Sequence, residues 1–390
     1  MKKLSLIILL NIFALNYQFS GKENKYSLED KTIKVRDQNT EETRIQVALL
    51  LDTSSSMDGL IEQAKSCLWN IINTLTTLKY NGKTPVIEIA LYEYGNSNLS
   101  EASKYIRQIT PLTTDLDLLS ETLFALKTNG GYEYCGAVIN EAVKKLDWGN
   151  NPSDMKLIYI AGNEPFNQGN ISYIEAISDA LKKDIYVNTI HCGGYEEGIR
   201  GFWKEGADKG KGKYFTIDYN QKIKYIETPY DFRIQECNEK LNSTYIGYGK
   251  EGAAKQTNQI IQDRNALNIS SSNYADRIVT KSKTVYKNDS WDLVDRVKED
   301  EKAISKINKE DLPNELQNKT QQELKELVKE KIKQREEIQK EITELSQKRE
   351  EYIDQEMKKT GEVIQEDLAN AINSSIIAFA KEKGYSLENK

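Results

Sequence analysis

The chain has a single histidine, His191, among 390 residues. A His-rich metal site and an acid/base pair of two histidines are therefore excluded. Proline and glycine are sparse, at 6 and 22 residues, against a usual share of roughly 12% for the pair. That excludes a collagenous chain and a Gly/Pro-rich disordered one. Neither sign of charge dominates. Lys and Arg number 54 and Asp and Glu 60, for a net charge of −6, so electrostatics give no case for nucleic acid as a partner. The four cysteines, Cys67, Cys135, Cys192 and Cys237, show no CxxC spacing, which argues against structural zinc.

Only one long apolar run occurs, and it lies at the N-terminus. Lys2 and Lys3 precede residues 4–15, which are broken only by Ser5 and Asn11, and polar sequence follows from Asn16. This layout is that of a secretory signal peptide, residues 1–20, followed by a linker, residues 21–43. The competing reading is an uncleaved membrane anchor. No Cys follows the run, so a lipoprotein anchor is not expected. No later stretch is apolar enough to span, so the mature chain is expected without a membrane span. The expected location is periplasmic or extracellular, and the Lys-, Asn- and Ile-heavy style points to a bacterium.

From residue 44 the pattern alternates. Residues 45–51, 86–94, 157–161, 185–192 and 214–217 read as strands, and the more polar 105–110 as an edge strand. Between them, residues 59–78, 116–126, 137–146, 171–181 and 199–207 carry helical apolar spacing. The alternation predicts an α/β fold, with a doubly wound, mostly parallel six-stranded sheet over residues 44–225. Residues 226–310 read as an irregular and helical extension. Residues 311–390 read as a helical hairpin. Thr320-Gln321-Gln322-Glu323 is a capping box, and apolar stripes from Leu324 to Leu345 and from Ile364 to Phe379 flank a turn at Gly361. Arg335 and Arg349 interrupt the first stripe, which speaks against a long dimeric coiled coil.

The first strand ends in Asp52-Thr53-Ser54-Ser55-Ser56. This D-x-S-x-S loop follows an apolar strand and precedes a helix, where open α/β sheets collect their ligands. Its carboxylate and hydroxyls are hard oxygen donors suited to Mg²⁺ or Ca²⁺. The loop resembles the metal-ion-dependent adhesion site (MIDAS) of von Willebrand factor type A (VWA) domains. The resemblance implies a doubly wound fold with Asp52, Ser54 and Ser56 as metal ligands. It also implies a Thr from a second loop and an Asp from a third. Here the second loop reads Gly130-Gly131-Tyr132-Glu133, with Tyr132 at the Thr position. The third reads Ala161-Gly162-Asn163-Glu164, with Gly162 at the Asp position. On chemistry alone, Glu133 and Glu164 are candidate replacement ligands. The alternative is a degenerate site in which Asp52 only caps the following helix. The stretches IAGNEPFNQG, TPYD, LNSTYIGYG and QDRNA resemble exported bacterial proteins of this kind, a likeness that implies a family and no activity.

Enzyme readings fail on residue content. Ser54 stands where an aspartic protease loop needs Gly and where a haloacid-dehalogenase phosphatase needs Asp. No nucleophile turn accompanies His191, and no phosphate-cradling G-x-x-x-x-G-K-[ST] occurs. His191 is expected to be a partly buried structural residue. Tyrosine is plentiful, 22 against 8 Phe, and Tyr92, Tyr94, Tyr132, Tyr134 and Tyr195 fall near strand ends, either as binding surface or as half-buried filler. Cys135 and Cys192 are both expected at the carboxyl edge. They either form the one candidate disulfide or stay free with the other thiols. The sequence thus predicts a non-catalytic, exported binding module whose divalent cation accepts an acidic group of a protein or glycan ligand. The alternatives are a scaffold or assembly subunit with an inactive metal site and, third, a hydrolase, for which no nucleophile–base pair is visible.

Overall fold

The computed structural model describes residues 42–220, 223–360 and 368–387. The expected signal peptide, nearly all of the linker and the Gly361 turn lie outside the described residues. The strands are β1 (Arg44–Asp52), β2 (Leu78–Lys79), β3 (Val86–Tyr94), β4 (Ile106–Thr113), β5 (Met155–Gly162), β6 (Ile185–Cys192), β7 (Lys211–Ile217) and β8 (Ser386–Leu387). The first helices are α1 (Asp58–Thr76), α2 (Leu116–Phe124), α3 (Cys135–Lys145), α4 (Tyr173–Lys182), α5 (Tyr195–Arg200) and α6 (Trp203–Lys209). The later ones are α7 (Asp231–Asn242), α8 (Gly252–Ile269), α9 (Ser271–Lys281), α10 (Leu293–Glu299), α11 (Gln321–Thr360) and α12 (Leu368–Glu382).

Six strands form one sheet in the order β4-β3-β1-β5-β6-β7. Only β4 runs antiparallel to its neighbour. β1 and β5 lie between strands on both sides and helices on both faces, so β5 is buried throughout and β1 after Arg44. That is why they read as continuous apolar runs. β4 is the edge and exposes Arg107 and Gln108. Strand order reverses between β1 and β5, and this places a crevice at their carboxyl ends. One face of the sheet is covered by α1, α2 and α12, the other by α3, α4 and α6. The fold is thus the expected VWA-like α/β sheet with a helical C-terminal region.

The helical region is fastened to the sheet layer by buried ions. Arg277 on α9 is fully buried. Its Nη1 donates to Asp117 on α2 at 2.8 Å and its Nε to Asp263 on α8 at 2.6 Å, while the guanidinium lies 4.7 Å from the Trp69 ring centre on α1. Lys281 completes the cluster, donating to Asp263 at 2.9 Å. Burial alone would push Asp263 up, but the charges of Lys281 and Arg277 and the amides of Asn242 and Asn238 outweigh it. They hold its carboxyl well below the usual range.

The expected helical hairpin is not how the last two helices pack. α12 packs on α1, β5 and β7, and α11 on α7, α9 and α10. The stripes differ in strength. Leu368, Ile372, Ile376 and Phe379 of α12 are apolar enough to enter the main core, at about 1.5–3 kcal/mol per side chain. The α11 stripe is thin and holds two arginines, which find carboxylates instead. Arg335 donates to Asp292 at 2.7 Å and Asp295 at 2.6 Å. Arg349 donates to Asp231 and Asp276, both at 2.8 Å. β8 then pairs with β2, and Tyr385 donates to the Ser153 carbonyl at 2.7 Å, tying the chain end to the sheet layer.

Removing one partner of a buried ion cluster leaves the others uncompensated. Arg277→Met is expected to cost about 3–5 kcal/mol of unfolding free energy, read by urea denaturation. Breaking the exposed Lys204–Asp208 pair should leave the midpoint nearly unchanged.

Candidate metal centre

Asp52 closes β1 at the crevice and is fully buried. Its Oδ1 accepts the Ser54 backbone N–H at 2.7 Å, while Oδ2 is buried without any hydrogen-bond partner. The loop behind it is tied down from both sides. Thr53 N–H donates to the Tyr94 carbonyl, and Asn129 N–H from the second loop donates to the Thr53 carbonyl, both at 2.9 Å. Ser54 and Ser56 hydroxyls stand 3.1 Å apart, and Asn163 of the third loop donates to the Ser56 hydroxyl at 3.3 Å.

Two glycines show how closely the site is packed. Gly95 follows β3 with φ +79°, and a Cβ there would lie 2.7 Å from Asp52 Oδ1 and 2.9 Å from Glu133 Cγ. Glu133 and Asp52 therefore flank one glycine. A Cβ on Gly162 would lie 2.5 Å from the Tyr94 hydroxyl and 3.0 Å from Asp52 Oδ2. Tyr94, which donates to the Ala161 carbonyl at 3.0 Å, crowds the position where the resemblance calls for an Asp. Only glycine fits beside it.

The structure thus brings Asp52, Ser54, Ser56 and Glu133 together. Glu164 stays at the rim, exposed, with Oε2 accepting the Gln168 amide at 3.1 Å. Burial first, then the charges of Glu133 and Glu164, push the Asp52 carboxyl up to about 8 against the opposing hydrogen bonds from Ser54. Burial and the Glu164 charge push Glu133 up to about 7, against a hydrogen bond from Ser54. No Lys or Arg among the described residues forms an ion pair with any of the three. Among the described residues no cluster of three or more His, Cys, Asp or Glu is placed to hold a metal ion. A cation here would rest on the Asp52 and Glu133 carboxylates with the Ser54 and Ser56 hydroxyls. That oxygen set, with an orphaned carboxylate oxygen, fits a hard divalent cation.

Sequence reasoning missed Tyr94 and Gly95 as parts of the site. Their signal was position alone: the last strand residue and the glycine after it, beside the D-x-S-x-S loop. Tyr92 and Tyr94 are buried rather than surface. Tyr132 and Tyr195 are 60% and 53% exposed, and Tyr132 joins Tyr105 and Tyr134 in one ring cluster. His191 is more deeply buried than expected, against Trp203 with ring centres 5.7 Å apart, and neither ring nitrogen has a partner. The candidate Cys135–Cys192 bridge is not formed, and both residues are buried. Cys135 belongs to the apolar layer on one sheet face and Cys192 to the layer on the other. Cys135 instead donates to the Tyr94 hydroxyl at 3.8 Å.

No family model matches the sequence, and no curated protein matches it. The chain is similar to several solved structures. Proximal thread matrix protein 1 from the mussel byssus, with a zinc-occupied MIDAS motif, is 12% identical over 46% of this chain, with a TM-score of 0.36. The conserved hypothetical protein BatB from Bacteroides thetaiotaomicron is 19% identical over 45% of this chain and 90% of its own, at 0.34. The von Willebrand factor type A structure from Catenulispora acidiphila is 18% identical over 46% of this chain, also at 0.34. This chain spans 43% of the byssus protein and 40% of the Catenulispora one. The VWA-like character of the architecture rests on the strand order and the Asp52 loop rather than on these likenesses.

The raised Asp52 pKa fixes the sign of a pH effect. The native state keeps a proton that the unfolded chain releases above the ordinary value of 3.8. The stabilisation is full below that value and is lost as pH rises toward about 8. In chelator, melting temperature is expected to fall from acid to mildly alkaline pH, and Asp52→Asn should flatten that fall. Parallel curves for the two proteins would contradict the assignment.

Proposed function

We propose that the chain is an exported, non-catalytic binding module. Its carboxyl-edge site takes a divalent cation, Mg²⁺ or Ca²⁺, and the cation accepts an acidic group of a protein or glycan ligand. The observation that carries this reading is the orphaned, buried Asp52 Oδ2 beside Glu133, with no basic residue among the described ones paired to either. Asp52 and Glu133 would supply the charge, Ser54 and Ser56 neutral oxygens, and the ligand a remaining position. Tyr132 and the rings behind it offer contact area at the mouth. The non-catalytic reading is supported by His191, which is buried against Trp203, where burial lowers its pKa against the opposing charge of Glu197. Among the described residues no helix is long and apolar enough to cross a membrane. Export rests on the apolar run at residues 4–15.

The scaffold reading has its own support. Gly162 and Tyr94 leave no room for a third-loop carboxylate, and the extensive helical layer is available for assembly contacts. Metal binding separates the two. A cation that binds only the folded state stabilises it by about 2.7 kcal/mol at one hundred times its Kd. Mg²⁺, Ca²⁺ or Mn²⁺ is expected to raise the melting temperature of the wild type at neutral pH. Asp52→Ala should abolish the rise, and Glu133→Gln should weaken it. A wild-type melting temperature indifferent to all three cations would leave the scaffold reading.

A further inference from the structure

A cavity of about 420 Å³ opens at the amino edge of the sheet, at the end of β3 opposite to the Asp52 site. That volume falls within the roughly 300–1,000 Å³ range of ligand sites. One wall is the start of β3, from Pro85 to Ile87. The other is the chain between α9 and α10, including Val285, Asn288 and Asp289.

The first wall is a strand edge that β4 does not reach, with Pro85 and Ile87 buried at the cavity's inner side. β1 runs beside Val86, Ile87 and Glu88, but β4 reaches only as far as Ile89, opposite Thr113. The chain then turns into α2. In a strand, successive peptides bond toward opposite sides. Val86 N–H donates to the Thr43 carbonyl at 2.9 Å, so the backbone groups of Ile87 face the side where β4 has ended.

The second wall holds an unused donor. Asn288 is 8% exposed, and its Nδ2 is buried with no acceptor. The amide orientation is fixed because the Trp291 indole N–H donates to Oδ1 at 3.1 Å. A flipped amide would set donor against donor. Buried polar groups of native proteins nearly always have partners, so an acceptor is wanted here.

The charges around the cavity are partly cancelled. Lys255 pairs with Asp115 at 2.7 Å and Glu299 with Lys287 at 3.4 Å. Glu42 and Asp289 have no cationic partner among the described residues, which leaves the lining negative. A strand edge that β4 does not reach, a donor without an acceptor and residual negative charge are together met by one kind of ligand. We propose that this cavity docks an extended, basic peptide segment of a partner protein, added as a short strand along the start of β3. The peptide backbone pairs with Ile87 and offers a carbonyl to Asn288, a basic side chain faces Asp289, and an apolar one rests on Pro85 and Val285.

The test uses the purified full chain as bait for a phage-displayed random peptide library. Enriched sequences should alternate β-branched residues with Lys or Arg. Their synthetic versions, followed by fluorescence anisotropy, should bind the wild type. Affinity should fall about tenfold or more with Thr284→Trp, which blocks the mouth from an exposed position, and with Asp289→Lys. N-methylation of the central peptide amide should have the same effect, and Asp52→Ala none. Melting curves establish that the variants are folded. The proposal is overturned if no peptide enriches, or if the enriched peptides bind Thr284→Trp as well as wild type. It is equally overturned if they lose affinity with Asp52→Ala, which would place them at the opposite edge of the sheet.

Discussion

One guanidinium holds the two layers of this molecule in register. Arg277 reaches Asp117, 160 positions away in sequence, and Asp263 on the neighbouring helix. With Lys281 the cluster has two charges of each sign, all buried. A neutral cluster of this kind adds little net stability over a well-packed apolar contact, because desolvation offsets most of the attraction. Its effect is on alternatives. Any other docking of α9 on α1 and α2 would strand a buried charge. The cluster therefore penalises other placements of the polar helical layer on the sheet layer.

Arg335 and Arg349 extend the same solution outward. Mean hydropathy is −0.65, and α11 offers few apolar positions over its 40 residues. It is held instead where each arginine meets two carboxylates. Arg335 also lies over the Tyr245 ring at 4.0 Å, so its apolar surface is used as well. Asp292, one of its partners, also accepts the Ile246 N–H at 2.8 Å and, with Asp295, fixes the turn that carries Asn288 and Trp291. α11 and the wall of the amino-edge cavity are thereby parts of one hydrogen-bonded unit.

These connections mark where sequence reading stops. β3 and β6 were legible to the residue, because both are largely buried within the sheet and polar loops bound their mainly apolar runs. The loop at Asp52 was legible because D-x-S-x-S follows such a strand. The hairpin expected after Thr320 failed for a physical reason. An apolar stripe shows that a helix needs a partner, not which one, and α12 found a larger apolar surface in α1. Arg335 and Arg349 were visible as interruptions, but their aspartates come from three separate helices. The Cys135–Cys192 expectation placed both residues at the correct edge and missed that their side chains lie on opposite faces of the sheet.

The treatment of buried acids across the chain makes the Asp52 site an exception. Asp117, Asp231, Asp263, Asp292 and Glu93 are all buried, and each meets an Arg or Lys. Asp154 is satisfied by the backbone N–H groups of Arg44 and Asn151. Asp52 alone among these keeps a carboxylate oxygen with no donor, and Glu133 is packed against the same glycine. Among these buried carboxylates, each of the others meets a base or backbone N–H donors, which leaves the Asp52 and Glu133 pair without a cation among the described residues. At low pH protons neutralise the pair. Near neutrality, where Asp52 and Glu133 sit close to their raised pKa values, a proton and the proposed divalent cation would compete for one set of oxygens. On the proposed reading, cation affinity at this edge would rise with pH, because the ligands must lose their protons to bind.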